Sequence, residues 1–263
     1  MKNILKAEFF KLKKSKTVLI CGIILGAYAV LTAALYLLIF GLASGGEGGF
    51  FTADLSLVLF SSGFQVFMIL TTVVICSFYS GEYRQGIIRN SLCAGVSRSR
   101  VYLAKFITAM IITAAVYVLV TLFFLTAFGI AFGWGSTNAG AFVGFWFLGL
   151  LLYASIGALA FMFSVMTKST GATIGISIGI SVFANIFSVI SLIVLLAGEG
   201  SNVNVVNRII TEIFLLLPTS QLTLAASMSL EGWRIAEAAA VGVAFLAGAY
   251  FGGLALFNKQ DQK

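Results

Sequence analysis

Six long apolar stretches dominate the pattern of hydrophobic and polar positions along the chain. A helix needs about 20 apolar residues to cross a bilayer, and charges are missing from the interior of all six stretches. The nearest charges, Lys105 and Glu237, lie close to helix ends. The pattern predicts an all-α, polytopic membrane protein that forms a single transmembrane domain over residues 1–263. The six predicted spans are 18–43, 55–79, 101–132, 141–166, 171–197 and 238–257.

The segment 1–16, before the first span, predicts an amphipathic helix that lies on the inner membrane surface. One side of this helix collects its apolar residues, Ile4, Leu5, Phe9 and Leu12. Most of the lysines fall on the other side, as Lys6, Lys11, Lys13 and Lys14. Glu8 and Phe10 break the pattern. A lever that contacts a cytosolic partner is a second interpretation of the same helix, and the two are compatible.

A segment of about 40 residues, 198–237, separates the last two spans and is longer than a simple connector. Its apolar parts are interrupted by polar residues and by the only proline, Pro218. We therefore predict re-entrant or interfacial helices over 203–230, on the external side. The alternative is a true span over 205–224, which would place the C-terminus outside.

The distribution of lysine and arginine predicts the orientation in the membrane. With the N-terminus inside, 14 of the 16 basic residues lie on the cytoplasmic side, and only Arg208 and Arg234 lie outside. Both termini are therefore expected in the cytoplasm. Contact of these residues with anionic membrane lipid explains the net charge of +7 without a nucleic-acid partner.

Composition excludes a soluble enzyme, because hydrophobic residues make up 60% of the chain and charged residues 10%, against about 25% charged in soluble domains. Histidine is absent, so we predict no catalytic residue and no metal site. The nucleophile-like pattern Gly175–Gly179 lies inside a span, where its glycines, with Gly171, have the four-residue spacing of packed membrane helices. No phosphate-binding loop is present, so the chain shows no ATP site of its own.

The lack of charge at mid-membrane disfavours a carrier driven by protons or ions. The polar groups within the spans are mild, and the candidates for a translocation path are Gln65, Thr72 and Asn185. Such an interior suits an apolar or amphiphilic cargo. A site built from backbone and hydroxyl groups keeps a stand-alone carrier or channel open as an alternative.

The cytosolic segment after the second span has the composition of a docking element. A short helix of mixed charge, broken by Gly86, would present arginine and tyrosine to a groove on a soluble protein. The candidate docking residues are Glu82, Tyr83, Arg84, Gly86 and Arg89. The structural alternative is a capped helix end that carries ordinary cytoplasmic arginines.

Three features resemble permease subunits of the type-two ABC exporters: Glu8–Ser15, Gly81–Asn90 followed by Arg98 and Lys105, and the long external segment. The resemblance covers the whole chain and is strongest to small six-span permeases for antimicrobial-peptide resistance and lantibiotic immunity in Gram-positive bacteria. Family members commonly have threonine where this chain has Ile87.

The resemblance implies a permease in the bacterial plasma membrane that pairs with a second copy or a paralogue. Two cytosolic ABC ATPase subunits, which carry ATP and Mg, would bind beneath it. The helix containing Glu82–Asn90 would be the coupling helix, and the external segment would line or gate the exit. The N-terminal helix would transmit ATPase closure through Glu8, Phe9, Lys11 and Leu12. A membrane immunity or scaffold protein that sequesters an amphiphilic peptide is the remaining alternative.

Overall fold

The computed structural model of the chain is helical, and no strand occurs among the residues it describes. These residues are 2–43, 55–84, 86–93, 95–134, 139–167, 169, 171–176, 178–180, 182–183, 186, 216–226 and 232–259. The helices are α1 Lys2–Lys14, α2 Lys16–Ala43, α3 Leu55–Arg84, α4 Ile87–Cys93, α5 Arg98–Phe132, α6 Ala139–Thr167, α7 Pro218–Ala226 and α8 Gly232–Lys259.

Five of the described helices, α2, α3, α5, α6 and α8, are long and apolar enough to cross a membrane. Five predicted spans fall within them, and each helix ends at or beyond the predicted limits because helical structure continues past the apolar run. The sixth predicted span, 171–197, lies mostly outside the described residues, which are helical at 171–176 and 178–180. A total of six spans therefore stays a prediction.

The central helix of the bundle is α6, which contacts α3, α5, α7 and α8. It is apolar on all sides, as expected for a helix without a water-facing surface. In the 18 residues that define each candidate span, 67% of the residues are buried inside the protein in α6, against 17% in α2. The outer face of α2 is therefore left to lipid or to another protein.

Two glycines of α6 allow α5 to approach closely. A Cβ atom on Gly157 would overlap the side chain of Thr113, and one on Gly149 would overlap the hydroxyl of Tyr117. By contrast, a Cβ atom would meet nothing within 4 Å at the evenly spaced glycines Gly171, Gly175 and Gly179. Among the described residues, these two glycines of α6 permit a close helix contact and that triplet does not.

The short helix α7 is the described part of the predicted external segment 203–230. It starts at Pro218, which suits the first turn of a helix because proline lacks an N–H donor. Its nine residues are too few to cross a bilayer, yet Pro218, Leu222 and Ala225 are buried. Leu222 faces Gly149 of α6, ten residues and about 15 Å from the start of that helix.

One end of the bundle collects α1, the end of α3, α4, the start of α5 and the end of α8, and we call it the basic end. Here Arg98 Nη1 donates a hydrogen bond to the Asn258 carbonyl at 3.0 Å. Lys105 reaches across from α5 to α1 and α3. The antiparallel helix order thus brings together chain segments that the charge pattern assigned to one side of the membrane.

Candidate functional site

The junction between α3 and α4 lies at the basic end and contains the predicted docking residues. Glu82, Tyr83 and Arg84 form the last turn of α3, whereas Arg89 belongs to α4. Gly86 separates the two helices with a φ of 67° and donates its N–H to the Tyr83 carbonyl at 3.1 Å. The prediction of one short helix containing Glu82–Asn90 is therefore wrong, because the left-handed conformation of Gly86 ends α3 before α4 begins.

A closed network of four charged side chains joins three helices immediately before this junction. Glu82 Oε1 accepts a hydrogen bond from Lys11 Nζ at 2.9 Å, and Glu82 Oε2 accepts one from Lys105 Nζ. Glu8 Oε1 lies 3.2 Å from Lys105 Nζ and 3.5 Å from Lys11 Nζ. Each carboxylate thus contacts both ammonium groups, and we call these four residues the charged cluster.

The charged cluster is buried and electrically neutral. Glu8, Glu82 and Lys105 are only 4%, 6% and 6% exposed, so each charge has lost most of its hydration and depends on its partners. Glu82 also lies in the last turn of α3, where the helix dipole is unfavourable to an anion. The two lysines supply the counter-charges, and Glu8 Oε2 is left buried without a hydrogen-bond partner among the described residues.

Lys11 is the most accessible member of the charged cluster, with its side chain 34% exposed. Burial alone would lower the pKa of Lys11, but the hydrogen bonds and negative charges of Glu82 and Glu8 outweigh it and raise the pKa above the ordinary lysine value. Lys11 therefore stays protonated at neutral pH and keeps α1 attached to α3.

Three of the four residues predicted on the apolar side of α1, Ile4, Leu5 and Leu12, are half-buried, and the charged Glu8 is buried beside them. Glu8 and Leu12, one turn apart, point toward the bundle, and Leu12 packs against the apolar core of the basic end. Phe9, predicted on the same side as Leu12, is 40% exposed, and Phe10 is 60% exposed. The residue that breaks the amphipathic pattern, Glu8, is the one buried most deeply, because Lys105 provides its counter-ion.

Comparison with protein families decides what kind of molecule carries this site. The model of the family described as ABC-2 family transporter protein matches residues 4–188. The chain belongs to this family. It is a membrane permease component of an ABC transporter, and the family implies an ABC ATPase as its partner. Comparison with curated proteins found no match.

The charged cluster and the α3–α4 junction of the permease both lie inside the matched region, whereas α7 and α8 lie beyond it. The antimicrobial-peptide and lantibiotic subtype is a narrower assignment than this match supports. Within the part of the chain that the structure describes, no group of three His, Cys, Asp or Glu residues could hold a metal ion.

Of the three predicted translocation-path residues of the permease, the structure describes the side chain of Thr72. Thr72 is buried on α3 and lines an apolar cavity beside α6 and α7. Gln65 belongs to α3, but its side chain lies outside the described residues, as does Asn185 altogether. The side chains of Arg84 and Arg89 also lie outside them, so their docking role stays a prediction.

Lys105 is the member of the charged cluster whose importance sequence reasoning missed. The sequence analysis placed it close to a helix end without a partner, but it is buried and paired with Glu8 and Glu82. The available signal was its position: a lysine seven residues into α5 needs a counter-ion, and Glu8 and Glu82 are the acidic residues predicted at the same end.

Proposed function

We propose that the permease is the transmembrane subunit of an ATP-driven exporter in the bacterial plasma membrane. It works as a pair, with a second copy or a paralogue, above two cytosolic ABC ATPase subunits that bind ATP and Mg. The basic end faces the cytoplasm, because 14 of the 16 lysines and arginines fall on that side of the predicted topology. Anionic lipid of the inner leaflet contacts its exposed lysines.

The charged cluster is the observation that carries this proposal. It fixes α1 and the start of α5 to the last turn of α3, two residues before α3 ends. A displacement of α4 by the ATPase would reach α3 across Gly86 and then move α1 and α5 with it. Ile88, only 1% exposed, anchors α4 in the apolar core of the same end.

This arrangement separates two roles that the sequence analysis assigned to one segment. Glu82 acts within the permease and transmits motion, because its carboxylate is occupied by Lys11 and Lys105. Arg84, Arg89 and Tyr83 are assigned to contact with the ATPase. On α1, Glu8, Lys11 and Leu12 hold the helix to the bundle, and the exposed Phe9 lies at the membrane interface.

The cargo is an apolar or amphiphilic molecule, of the class of peptides, lipids or antibiotics. Buried polar groups of the spans, such as Thr71, Thr72 and Thr108, are uncharged hydroxyls, and a path lined by them does not compensate the lost hydration of a strongly charged solute. The α7 segment enters the bundle from outside as a re-entrant helix and lines the exit. Export of antimicrobial peptides or lantibiotics fits this cargo and the resemblance of the sequence.

The direct test is purification of the tagged permease from its native membrane in mild detergent, followed by mass spectrometry. We expect a stoichiometric ABC ATPase, together with a second permease if the pore is a heterodimer. Arg89→Ala should weaken ATPase binding about thirtyfold, or by about 2 kcal/mol, as for an interface arginine at a hot spot. The control is Lys13→Ala, which removes an exposed lysine of α1 outside the charged cluster.

Two results would contradict the proposal. One is the absence of an ATPase under conditions that preserve a known ABC complex. The other is transport by the permease alone in liposomes under an ion gradient, which would establish a stand-alone carrier. Binding of an amphiphilic peptide without nucleotide-dependent transport would instead establish a sequestering immunity protein.

A further inference from the structure

A cavity of about 230 Å³ lies between α3, α6, α7 and α8. Residues of all four helices line it, among them Met68, Thr72, Ile156, Phe163, Thr219 and Phe245. Ile156 is 17 residues, or about 26 Å, from the outer end of α6, so the cavity lies near the middle of the bundle. Its wall on the α7 side is the start of the short buried helix.

The shape of the cavity fits one hydrocarbon chain. Its wall on α6 runs from Ile156 to Phe163, which is seven residues or about 10 Å along the helix. A volume of about 230 Å³ along this length suits an elongated apolar ligand. An apolar cavity of about 150 Å³ binds benzene, which corresponds to about 25 Å³ for each of its carbon atoms. At this ratio, a cavity of about 230 Å³ holds about nine carbon atoms.

The polar groups that line the cavity indicate which functional group a bound hydrocarbon chain must have. None of the described residues that line the cavity is charged, so an ionised group would lie unpaired there. Thr219 Oγ1 is buried and has no hydrogen-bond partner among the described residues. A buried hydroxyl without a partner is unfavourable, and an uncharged acceptor on the ligand would remove that cost.

We propose that this cavity binds an acyl chain of about nine carbons that ends in an uncharged ester or amide, whose carbonyl accepts a hydrogen bond from Thr219. This chemistry has two sources, a membrane lipid or an acylated cargo. Its importance for transport rests on the proposed function, whereas the binding itself requires only the permease.

The test measures binding of methyl decanoate and of decane to the purified permease in detergent, by displacement of a fluorescent fatty-acid ester. Thr219→Val keeps the side-chain shape and removes the hydroxyl. It should weaken binding of the ester about fivefold, the effect of one hydrogen bond, and leave binding of decane unchanged. The matched control is Thr223→Val, one turn along α7, because the exposed Thr223 donates instead to the Ser220 carbonyl at 2.7 Å.

A second variant fills the cavity. Ala160, 4% exposed, lines the cavity on α6, so Ala160→Phe should abolish binding of both ligands. Equal loss of ester and decane binding in Thr219→Val would overturn the hydrogen-bond assignment. Unchanged binding in folded Ala160→Phe, or no binding to the unmodified permease, would overturn the site.

Two further measurements on the same purified protein decide whether the bound acyl chain belongs to an acylated cargo or to a membrane lipid. Stimulation of ATP hydrolysis by methyl decanoate, in the complex with the ATPase, would support an acylated cargo. A phospholipid that co-purifies with the permease and is lost from Ala160→Phe, without such stimulation, would support a resident lipid. If no ATPase is found but the ester binds, the proposed function fails and the acyl site stands.

Discussion

Glu82→Gln removes one charge from the charged cluster while keeping the size and shape of the side chain. Lys105 then retains only Glu8, at 3.2 Å, and the four positions carry a net charge of +1. Breaking a buried ion pair costs about 3–5 kcal/mol. Because Glu8 remains as a counter-ion, we expect the lower limit, about 3 kcal/mol.

Thermal unfolding in a fixed detergent measures this loss. For a chain of this size, about 3 kcal/mol corresponds to a decrease in Tm of about 6–12 °C. The control is Glu237→Gln, whose carboxylate is 23% exposed and lies 3.4 Å from Arg234. A partly exposed pair of this kind contributes about 1 kcal/mol or less.

A double-mutant cycle with Lys105→Met identifies the charge as the cause. The double variant retains Glu8 and Lys11, which neutralise each other at 3.5 Å. Its loss of stability should therefore be smaller than the sum of the two single losses by about 2 kcal/mol. Additive losses, or a Tm of Glu82→Gln within about 2 °C of the unmodified permease, would refute the argument.

Three further predictions concern packing, a hydrogen bond and pH. Gly157→Ala should cost about 1–3 kcal/mol because its Cβ atom overlaps Thr113. By contrast, Gly144→Ala, with nothing within 4 Å of the added atom, should raise Tm by about 1–4 °C because alanine is the better helix former; shifts of the same sign and size would contradict the packing. Tyr117→Phe should cost about 1 kcal/mol, because the buried hydroxyl donates to a carbonyl of α6 at 3.0 Å, and an unchanged Tm would argue against this bond. The raised pKa of Lys11 means that its contribution to stability is complete below the ordinary lysine pKa and is lost only as pH rises through the higher folded value. The Tm difference between Lys11→Met and the unmodified permease should therefore be constant from pH 6 to 8, about two units or more below the lysine pKa.

Hydropathy predicted the described spans well because membrane helices are specified by long apolar runs. It underestimated α3, which continues to Arg84, because helical structure extends past the apolar run and into the last turn that holds Glu82. The break after this turn was visible in the sequence as Gly86, but hydropathy does not report φ, so the turn was assigned to the wrong helix.

The charged cluster could be predicted only in part. Glu82 and Glu8 were visible as acidic residues at one end, and each was assigned to a surface, because the sequence does not show which helices are neighbours. Pairing with Lys105 spans 97 residues, a separation that no local period reports. The cavity could not be predicted from the sequence for the same reason, because Thr219 lines it only together with residues of α3, α6 and α8.

The charged cluster also constrains the order in which the chain can be assembled during synthesis. Glu8 leaves the ribosome 97 residues before Lys105, which at about 5–20 residues per second is a delay of about 5–20 s. Throughout this interval α1 cannot take its final position, and it must wait at the membrane surface until α3 and α5 have been inserted. Closure of the cluster is therefore a late event of biogenesis, and a chain whose α5 fails to insert keeps two carboxylates with a single lysine.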